Sequence, residues 1–527
     1  MTVDAVVIGA GINGLVASAE LAKAGWSVAL VEGGDRLGGF IATEERTLPG
    51  YLHDTFSSWH PLFTSGPAYA ALGPDLHRHG LEYRNTDGMV TASVADDGRC
   101  VIAHRDPAAT VAGFAHERDR SRYLAMLDAF GRTAGQVGAL MGTEPRSPRG
   151  MRAALGLLRK VRARGAERML VDLATSGRGY GRREFDGWEF DQLWAPWLLH
   201  AGLAPDQAGG GFMLPVLAAT MHGFGLPVVA GGAGRFVAAF AALLDELKVQ
   251  VEPYSTVTEI LVEGGRAVGV RLASGRELRA ERAVIASVTP TALYGRLLGG
   301  GVPARVVEAA GRYRYGRGAM QVHVALSGPP AWREPQLSQV PLIHVSDGSG
   351  STGIACAQAE AGLLPSRPTV AVGQQFVLDP SRVPDGAAAL WLQLQEVPSR
   401  PVGDAGGEIA TGGQWSASVG RAYADRVLAR VAEHAPDLLA KVRAVDVITP
   451  ADLAAANPNA VGGDPYGGSS ELDQNLWWRP FPAAASHRTA VPGLWHIGAS
   501  THPGAGLGGG SGHIVAATLT RSSRRRR

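Results

Sequence analysis

The stretch Asp4–Phe40, DAVVIGAGINGLVASAELAKAGWSVALVEGGDRLGGF, decides how the rest of this chain is read. Its apolar run Ala5–Ile8 suits a strand buried on both faces, as in a parallel sheet. Gly9, Gly11 and Gly14 follow at once in the spacing G-x-G-x-x-G, and Leu15, Ala19 and Ala22 then recur at helical intervals. A second strand, Ser27–Val31, ends in Glu32 and completes a βαβ unit. Gly9 permits the tight turn, Gly11 lets a pyrophosphate approach the backbone, and Gly14 lets helix and strand pack closely. The first helical turn, with Ile12 and Asn13, offers free N–H groups to that anion. Glu32 lies about twenty residues on, where a carboxylate accepts hydrogen bonds from a ribose. Strand, loop, helix, second strand and acid in register specify a dinucleotide site.

Around this unit the chain of 527 residues is long enough for two or more packed domains, and 45% hydrophobic residues leave ample material to bury. Glycine is abundant, at 71 residues, so only glycines at defined spacings carry weight. The net charge is +2, and Arg524–Arg527 supply four of the positive charges, which leaves the remainder near −2. That balance excludes nucleic-acid binding by a basic face. Cys100 and Cys356 are too few and too far apart for a disulfide framework or a Cys-ligated metal site, and no metal is expected. Sparse cysteine fits a reducing compartment, so a cytoplasmic location is expected, with peripheral membrane contact as an open addition. The N-terminus lacks the basic n-region of a secretory signal. The stretch Gln207–Gly234 holds no Asp, Glu, Lys or Arg, is broken by Pro215 and Pro227, and reads as the lining of a cavity rather than a membrane span.

From Pro61 to about Leu203 the pattern is helical and irregular. It includes the basic amphipathic stretch MRAALGLLRKVRARGAERML, Met151–Leu170, which suits a solvated helix or one docked on a membrane. Val249–Ser287 alternates apolar and polar residues with turns at Gly264-Gly265 and Ser274-Gly275, the pattern of β structure. Strands such as QVHVALS and LWLQLQEV precede the helix SVGRAYADRVLARVAEHAP, an order without βαβ alternation that predicts an antiparallel sheet with helices on one side. The nearest thing to a second dinucleotide loop, VVAGGAG, has the wrong glycine spacing at Gly231, Gly232 and Gly234. Near the end, GLWHIGASTHPGAGLGGGSGHIVAATL reads as a strand over Leu494–Ile497, a glycine-rich turn and a helix from about Ser511. The N-terminus of that helix favours an electron-rich partner.

The continuation GGDRLGGF, with Arg36, Gly38 and Gly39 after Glu32, resembles the extended fingerprint of glutathione-reductase-type flavoproteins of the amine oxidase and phytoene desaturase kind. The segment GASTHPGAGLGG resembles the phytoene desaturase branch more than the amine oxidases. GGFIATEERTLPGY and GGDPYGGSSELDQNLWWRP resemble the PYROXD2-like members of that branch. The resemblance implies an α/β fold: a Rossmann-like FAD-binding domain with a parallel sheet, interleaved with an α+β substrate domain that contains an antiparallel sheet. The implied divisions are 1–60, 226–298 and 451–520 for the FAD domain, 61–225 and 299–450 for the helical and substrate regions, and a basic tail at 521–527. It also implies FAD contacts at Gly33, Arg36, Gly38, Gly39 and Phe40, the last standing where the family has arginine. Val257 would meet the adenine, and Gly498, Ser500, Gly506, Leu507 and Gly508 the flavin side.

The activity implied is an FAD-dependent dehydrogenation or desaturation, with hydride passing from a C–H bond of an apolar or partly apolar small molecule to flavin N5 and reoxidation by oxygen or a quinone. An amine oxidase is the alternative with the same fold, and a binder resembling the Rab GDP-dissociation inhibitors the alternative without chemistry. Retention of Glu32, Arg36 and Gly38-Gly39 argues against the last. Candidate proton-transfer groups are His222, alone among ionisable residues in Gln207–Gly234, His502 within the C-terminal glycine loop, and Tyr466. His53, His60, His323, Asp464 and the pair Glu44-Glu45 are weaker candidates, each with an ordinary structural role as its simpler account.

Overall fold

The computed structural model describes residues 2–524, so Arg525–Arg527 of the expected basic tail lie outside the described residues. The first strand, Thr2–Ile8, is buried from Ala5 to Ile8 and pairs in parallel with Val28–Val31 and Glu277–Ser287. Val28–Val31 pairs in turn with Gln250–Glu252, and Glu277–Ser287 with Leu494–Ile497, both in parallel. The strands Val257–Glu263 and Arg266–Leu272 close the seven-stranded sheet on one edge as an antiparallel extension. Strands far apart in sequence thus share one sheet, and they bring Gly9, Glu32, Ser287 and Gly498 to its carboxyl edge, where ligands of open α/β sheets bind.

The helix Ile12–Lys23 covers one face through Leu15, Val16, Ala19 and Leu21, together with Phe236, Phe240 and Leu243 of the helix Gly234–Glu246. Full burial of each large side chain contributes roughly 1.5–3 kcal/mol, so this cluster and the one on the opposite face are what hold the unit together.

The second sheet also has seven strands, ordered Val442–Ile448, Gly318–Leu326, Ala388–Val397, Val370–Gly373, Leu342–Val345, Met89–Val94 and Cys100–His104. It is antiparallel except where Leu342–Val345 meets Met89–Val94. The hairpin Met89–His104 differs from the helical reading of that region. Its two strands pair with each other across the turn Asp96–Gly98, a local hairpin signal, whereas the strand that joins them to the sheet, Leu342–Val345, lies some 250 residues on. On one face Met320, Val322, Val324, Leu390, Leu392 and Leu394 pack against the helix Ala417–Ala432, as the strand-then-helix order predicts.

The helix Glu117–Met141 and the apolar helix Gly210–Phe224 share a core with the hairpin of the second sheet through Tyr123, Met126, Leu214, Ala218, Val90 and Val101, and the helix Pro148–Ala174, interrupted at Arg162, lies against both. Among the described residues no helix is long and apolar enough to cross a membrane.

Candidate functional site

The glycines of the first loop separate into those that build it and the one that leaves room. Gly9 has φ of +90°, and a Cβ there would stand 3.0 Å from the Ser287 carbonyl oxygen. A Cβ on Gly14 would stand 1.9 Å from the Gly9 carbonyl oxygen, so helix and strand touch through that position. Around Gly11 nothing lies within 4 Å of the Cβ position. No side chain caps the helix that begins at Ile12, which leaves the first-turn N–H groups of Ile12, Asn13 and Gly14 for an external anion.

Glu32 is held by its surroundings: Oε2 accepts from the Ala10 N–H at 2.7 Å and Oε1 from the Gly34 N–H at 2.9 Å. Each oxygen keeps a lone pair for a ribose hydroxyl. Ser255 donates its N–H to the Glu32 carbonyl at 2.7 Å and Thr256 abuts Gly33, which brings Val257, 7% exposed, to the Glu32 end of the loop. The Gly38 N–H donates to the Ala10 carbonyl at 2.8 Å, and a Cβ on Gly39 would come within 3.2 Å of Gly11 Cα. The paired glycines therefore lie against the first glycine loop. Arg36 pairs with Glu44, and Phe40 packs its ring 5.1 Å from Phe56. Burial alone would raise Glu44, but Arg36 and Arg46 outweigh it and hold its carboxyl below the ordinary value.

The C-terminal loop closes on the same place. The Gly498 N–H donates to Ser511 Oγ at 2.8 Å, and Ser511 Oγ donates to Asn13 Oδ1 at 2.9 Å. Gly512 also donates to Asn13 Oδ1, at 3.3 Å, and has no room for a Cβ against the Asn13 carbonyl. The last helix, Gly510–Arg524, is in this way docked on the first. Ser500 Oγ donates to the Gly467 carbonyl at 2.6 Å, Gly506 and Gly508 lie over Leu62, and Leu507 packs onto the core beneath.

Arg479 was absent from the candidates. Its buried guanidinium donates to the carbonyls of Tyr466 at 2.7 Å, Ala499 at 2.8 Å, Ser469 at 3.2 Å and Gln474 at 3.4 Å. It fastens the segment quoted as GGDPYGGSSELDQNLWWRP to the glycine loop.

Along the second sheet the alternation of residues matters as well. Opposite its apolar face the strands present Gln321, His323, Trp391, Gln393, Gln395 and His344, with His323 across from Trp391 and Gln321 across from Gln393. Gln321 donates to the Phe56 carbonyl, and His323 Nε2 meets the Thr55 carbonyl at 3.1 Å, in the chain leaving Phe40. At the other end Gln395 donates to the Tyr466 hydroxyl at 2.7 Å, and His200 Nε2 lies 2.9 Å from His344 Nε2. This polar face thus reaches both chain segments that lead from the dinucleotide loops. Its signal in sequence is the alternation Q-V-H-V and W-L-Q-L-Q, with polar groups in what would otherwise be core strands.

The three proton-transfer candidates differ in what is left free. His222 Nδ1 donates to the His104 carbonyl at 2.7 Å, so Nε2 accepts from the Tyr123 hydroxyl at 2.6 Å. Tyr466 donates to the Leu199 carbonyl at 2.6 Å and accepts from Gln395, and burial raises its phenol pKa. His502 Nε2 donates to the Leu140 carbonyl at 3.1 Å, whereas Nδ1 is buried and makes no hydrogen bond of ordinary geometry, although the Leu476 backbone also acts on the ring. Burial pushes His502 down to about 4, with His487 adding to the effect. Asp464 accepts N–H groups of Gly316, Tyr466 and Gly468 and shapes the turn; burial raises it.

Burial likewise depresses His53 to about 3 and His60, His200, His323 and His496 to about 4. These rings are neutral in the folded state and take up protons near pH 6.5 when unfolded. Their stabilisation is full above pH 6.5 and is lost as pH falls toward 4, by up to about 3 kcal/mol for each. Glu396, raised by burial to about 7, works in the opposite direction together with the raised Asp464 and Asp191, but the depressed histidines outnumber them. Thermal melts should fall steeply between pH 6.5 and 4; a flat profile would show the rings protonating freely in the fold.

Arg382, 2% exposed, lies 2.7 Å from Asp54 and 3.2 Å from Asp379, and donates to the Val229 carbonyl at 2.7 Å. Asp54 also accepts the Ala233 N–H and Asp379 the Gly231 N–H, so one ionic group organises the loop Gly231–Gly234. Asp96, Glu433 and His434 approach within 4.8 Å of one another, but Arg367 and Arg430 already pair with Asp96, so this is an ion-pair node rather than a metal cage.

The chain matches the family model described as flavin containing amine oxidoreductase over residues 12–390. It is 26% identical to the mouse protein "Pyridine nucleotide-disulfide oxidoreductase domain-containing protein 2", over 98% of this chain and 93% of that protein. It is also 26% identical to hydroxyneurosporene desaturase of Cereibacter sphaeroides, over 95% of this chain and 94% of the relative. Its fold is similar to that of cyclohexylamine oxidase from Brevibacterium oxydans, with a TM-score of 0.60 at 17% identity, covering 99% of this chain and 100% of that one. A βαβ glycine loop joined by the paired glycines and the returning C-terminal strand, with a second, largely antiparallel sheet beside it, agrees with that match: the chain belongs to the flavin-containing amine oxidoreductase family and is a flavin-dependent oxidoreductase.

Proposed function

We propose that this protein holds FAD across the Gly9–Gly14 loop and dehydrogenates or desaturates a partly apolar small molecule bearing a neutral hydrogen-bonding group, with oxygen or a quinone as the final acceptor. The observation that carries the cofactor reading is the uncapped helix start beside an unobstructed Gly11, a cradle that fits a pyrophosphate. Ile12, Asn13 and Gly14 would hold that anion, Glu32 the ribose, Gly33 and Val257 the adenine end, Arg36, Gly38, Gly39 and Phe40 the adjoining stretch, and Gly498, Ser500, Gly506, Leu507 and Gly508 the flavin end. When bound, FAD supplies an acceptor for the hydride of a substrate C–H bond.

The chain's own contribution is orientation and exclusion of water. The apolar residues Phe212, Met213, Val216 and Leu217 of the helix Gly210–Phe224 are half-buried or buried less than their neighbours and suit a hydrocarbon wall. The uncharged face of Gln321, Gln393, Gln395 and His344 suits a neutral polar group. His502, neutral and with Nδ1 outside any hydrogen bond of ordinary geometry, is the candidate to accept a proton. His222 and Tyr466, saturated by protein partners, are assigned to positioning. The desaturase named among the relatives supports an alkyl C–H substrate over an amine.

The test is anaerobic mixing of the flavin-loaded protein with a panel of neutral partly apolar compounds and of primary amines, followed by admission of oxygen or a quinone. Bleaching by the former supports the proposal. Bleaching by amines alone, or by nothing in the panel, overturns it. Removing the ribose acceptor in Glu32→Ala should weaken flavin retention by about tenfold or more, from loss of charged hydrogen bonds worth roughly 1.5–3 kcal/mol. Full retention on gel filtration would mean that Glu32 does not hold the ribose.

A further inference from the structure

The helix Pro148–Ala174 exposes large apolar side chains on one face of its first half: Met151, Leu155 and Leu158, each at least half exposed, at spacings of four and three residues. From Pro148 to Arg162 the same segment carries Arg149, Arg152, Arg159, Lys160 and Arg162 and no acidic residue. Apolar residues at helical spacing with interspersed cations are the pattern of a helix lying in a lipid interface, and monomers rarely leave such a stripe uncovered without use.

Tertiary structure brings two more elements to this corner. Arg521, near the end of the last helix, lies close enough to Arg149 that the two repel, so like charge is concentrated here despite its cost. Arg146 donates to the Pro482 carbonyl at 3.4 Å, which anchors the segment Leu476–Ala484 beside the same helix start. That segment holds Trp477 and Trp478, each 41% exposed, and indoles favour the water–lipid boundary. The corner is one layer from the glycine loop: Glu144 binds His487, His487 Nε2 donates to the His502 carbonyl at 2.8 Å, and His502 reaches Leu140. Glu144 is the acid facing the corner from within, and it is occupied by His487.

We propose that Met151, Leu155, Leu158, Trp477 and Trp478, rimmed by Arg146, Arg149, Arg152, Arg159 and Arg521, form a docking surface for an anionic phospholipid bilayer. The surface seats the protein with the glycine-loop side toward the lipid. The apolar stripe enters the acyl boundary while the guanidiniums meet headgroup phosphates, so attachment is peripheral and sensitive to salt.

Flotation of the flavin-loaded protein with vesicles of phosphatidylcholine alone, or of phosphatidylcholine mixed with phosphatidylglycerol, tests this. Binding is expected to the mixed vesicles and to fall as salt is raised. Leu155→Asp with Leu158→Asp, both on a solvent-exposed face, should lower partition at least about tenfold while flavin content and melting temperature stay unchanged. Arg152→Glu with Arg159→Glu should lower it at least about tenfold as well. Equal binding to neutral vesicles, no binding to either, or unaltered binding by the aspartate variant would overturn the proposal. So would a concentration-dependent dimer abolished by that variant, since a second copy would then cover the face. None of these outcomes bears on whether the flavin is bleached by substrate, so the two readings fail separately.

Discussion

Gly11→Val yields a folded protein that does not retain flavin. Gly11 has φ of −66° and ψ of 172°, a conformation open to any L-residue, and the position of a Cβ is clear of every atom within 4 Å. The apo fold should therefore melt within about 1 kcal/mol of the parent protein, as exposed substitutions without a packing defect do. The valine methyl groups instead occupy the space through which a pyrophosphate reaches the first-turn N–H groups. Loss of two or more charge-assisted hydrogen bonds predicts flavin affinity lower by about a hundredfold or more. Gly14→Val makes the contrasting case: its Cβ would stand 1.9 Å from the Gly9 carbonyl oxygen, and the strand and helix would have to separate. That variant should fail at folding, the first at binding. A Gly11→Val protein with full visible flavin absorbance would remove the nucleotide from this loop.

The second large effect belongs to Arg382→Leu. The substitution strands Asp54, buried and accepting from Ala233, and Asp379, accepting from Gly231, without the cation both share. Burial would raise both acids, but the arginine and the hydrogen bonds hold them below the ordinary carboxylate value. Breaking one partner of a buried pair costs about 3–5 kcal/mol. The loss should reach the loop before the helix Gly234–Glu246, so chemical denaturation and hydrogen exchange at Gly231–Gly234 should report it together. Adding Asp54→Asn should recover part of the stability, because an amide tolerates the absence of a cation. A single variant as stable as the parent would show that water or rearrangement already neutralises the acids.

Arg382 also marks where reading by sequence runs out. Nothing local distinguishes it from any other arginine. Its meaning depends on Asp54, 328 residues away, and on a loop of a third segment. Arg479 is similar: its carbonyl partners lie in turns whose paths are set only when the last strand joins the first sheet. The polar sheet face is an intermediate case. Its alternation is plain in QVHV and LWLQLQ, but which face turns to the dinucleotide loops follows from the packing of the helix Ala417–Ala432 on the other.

The βαβ unit, Glu32, the paired glycines and the C-terminal strand, turn and helix were all legible from the sequence alone. Their signals are local: steric permission at glycine, a strand's apolar run and a helix's period act within about thirty residues. The flavin-dependent family followed from those same short segments. Only the tertiary structure decided that Met89–His104 joins the second sheet, that His222 is occupied on both nitrogens while His502 Nδ1 makes no hydrogen bond of ordinary geometry, and that Arg521 comes to rest beside Arg149. Those facts depend on contacts between residues tens to hundreds of positions apart. Hydrogen bonding and charge respond to what lies nearby in space, which the order of residues by itself does not state.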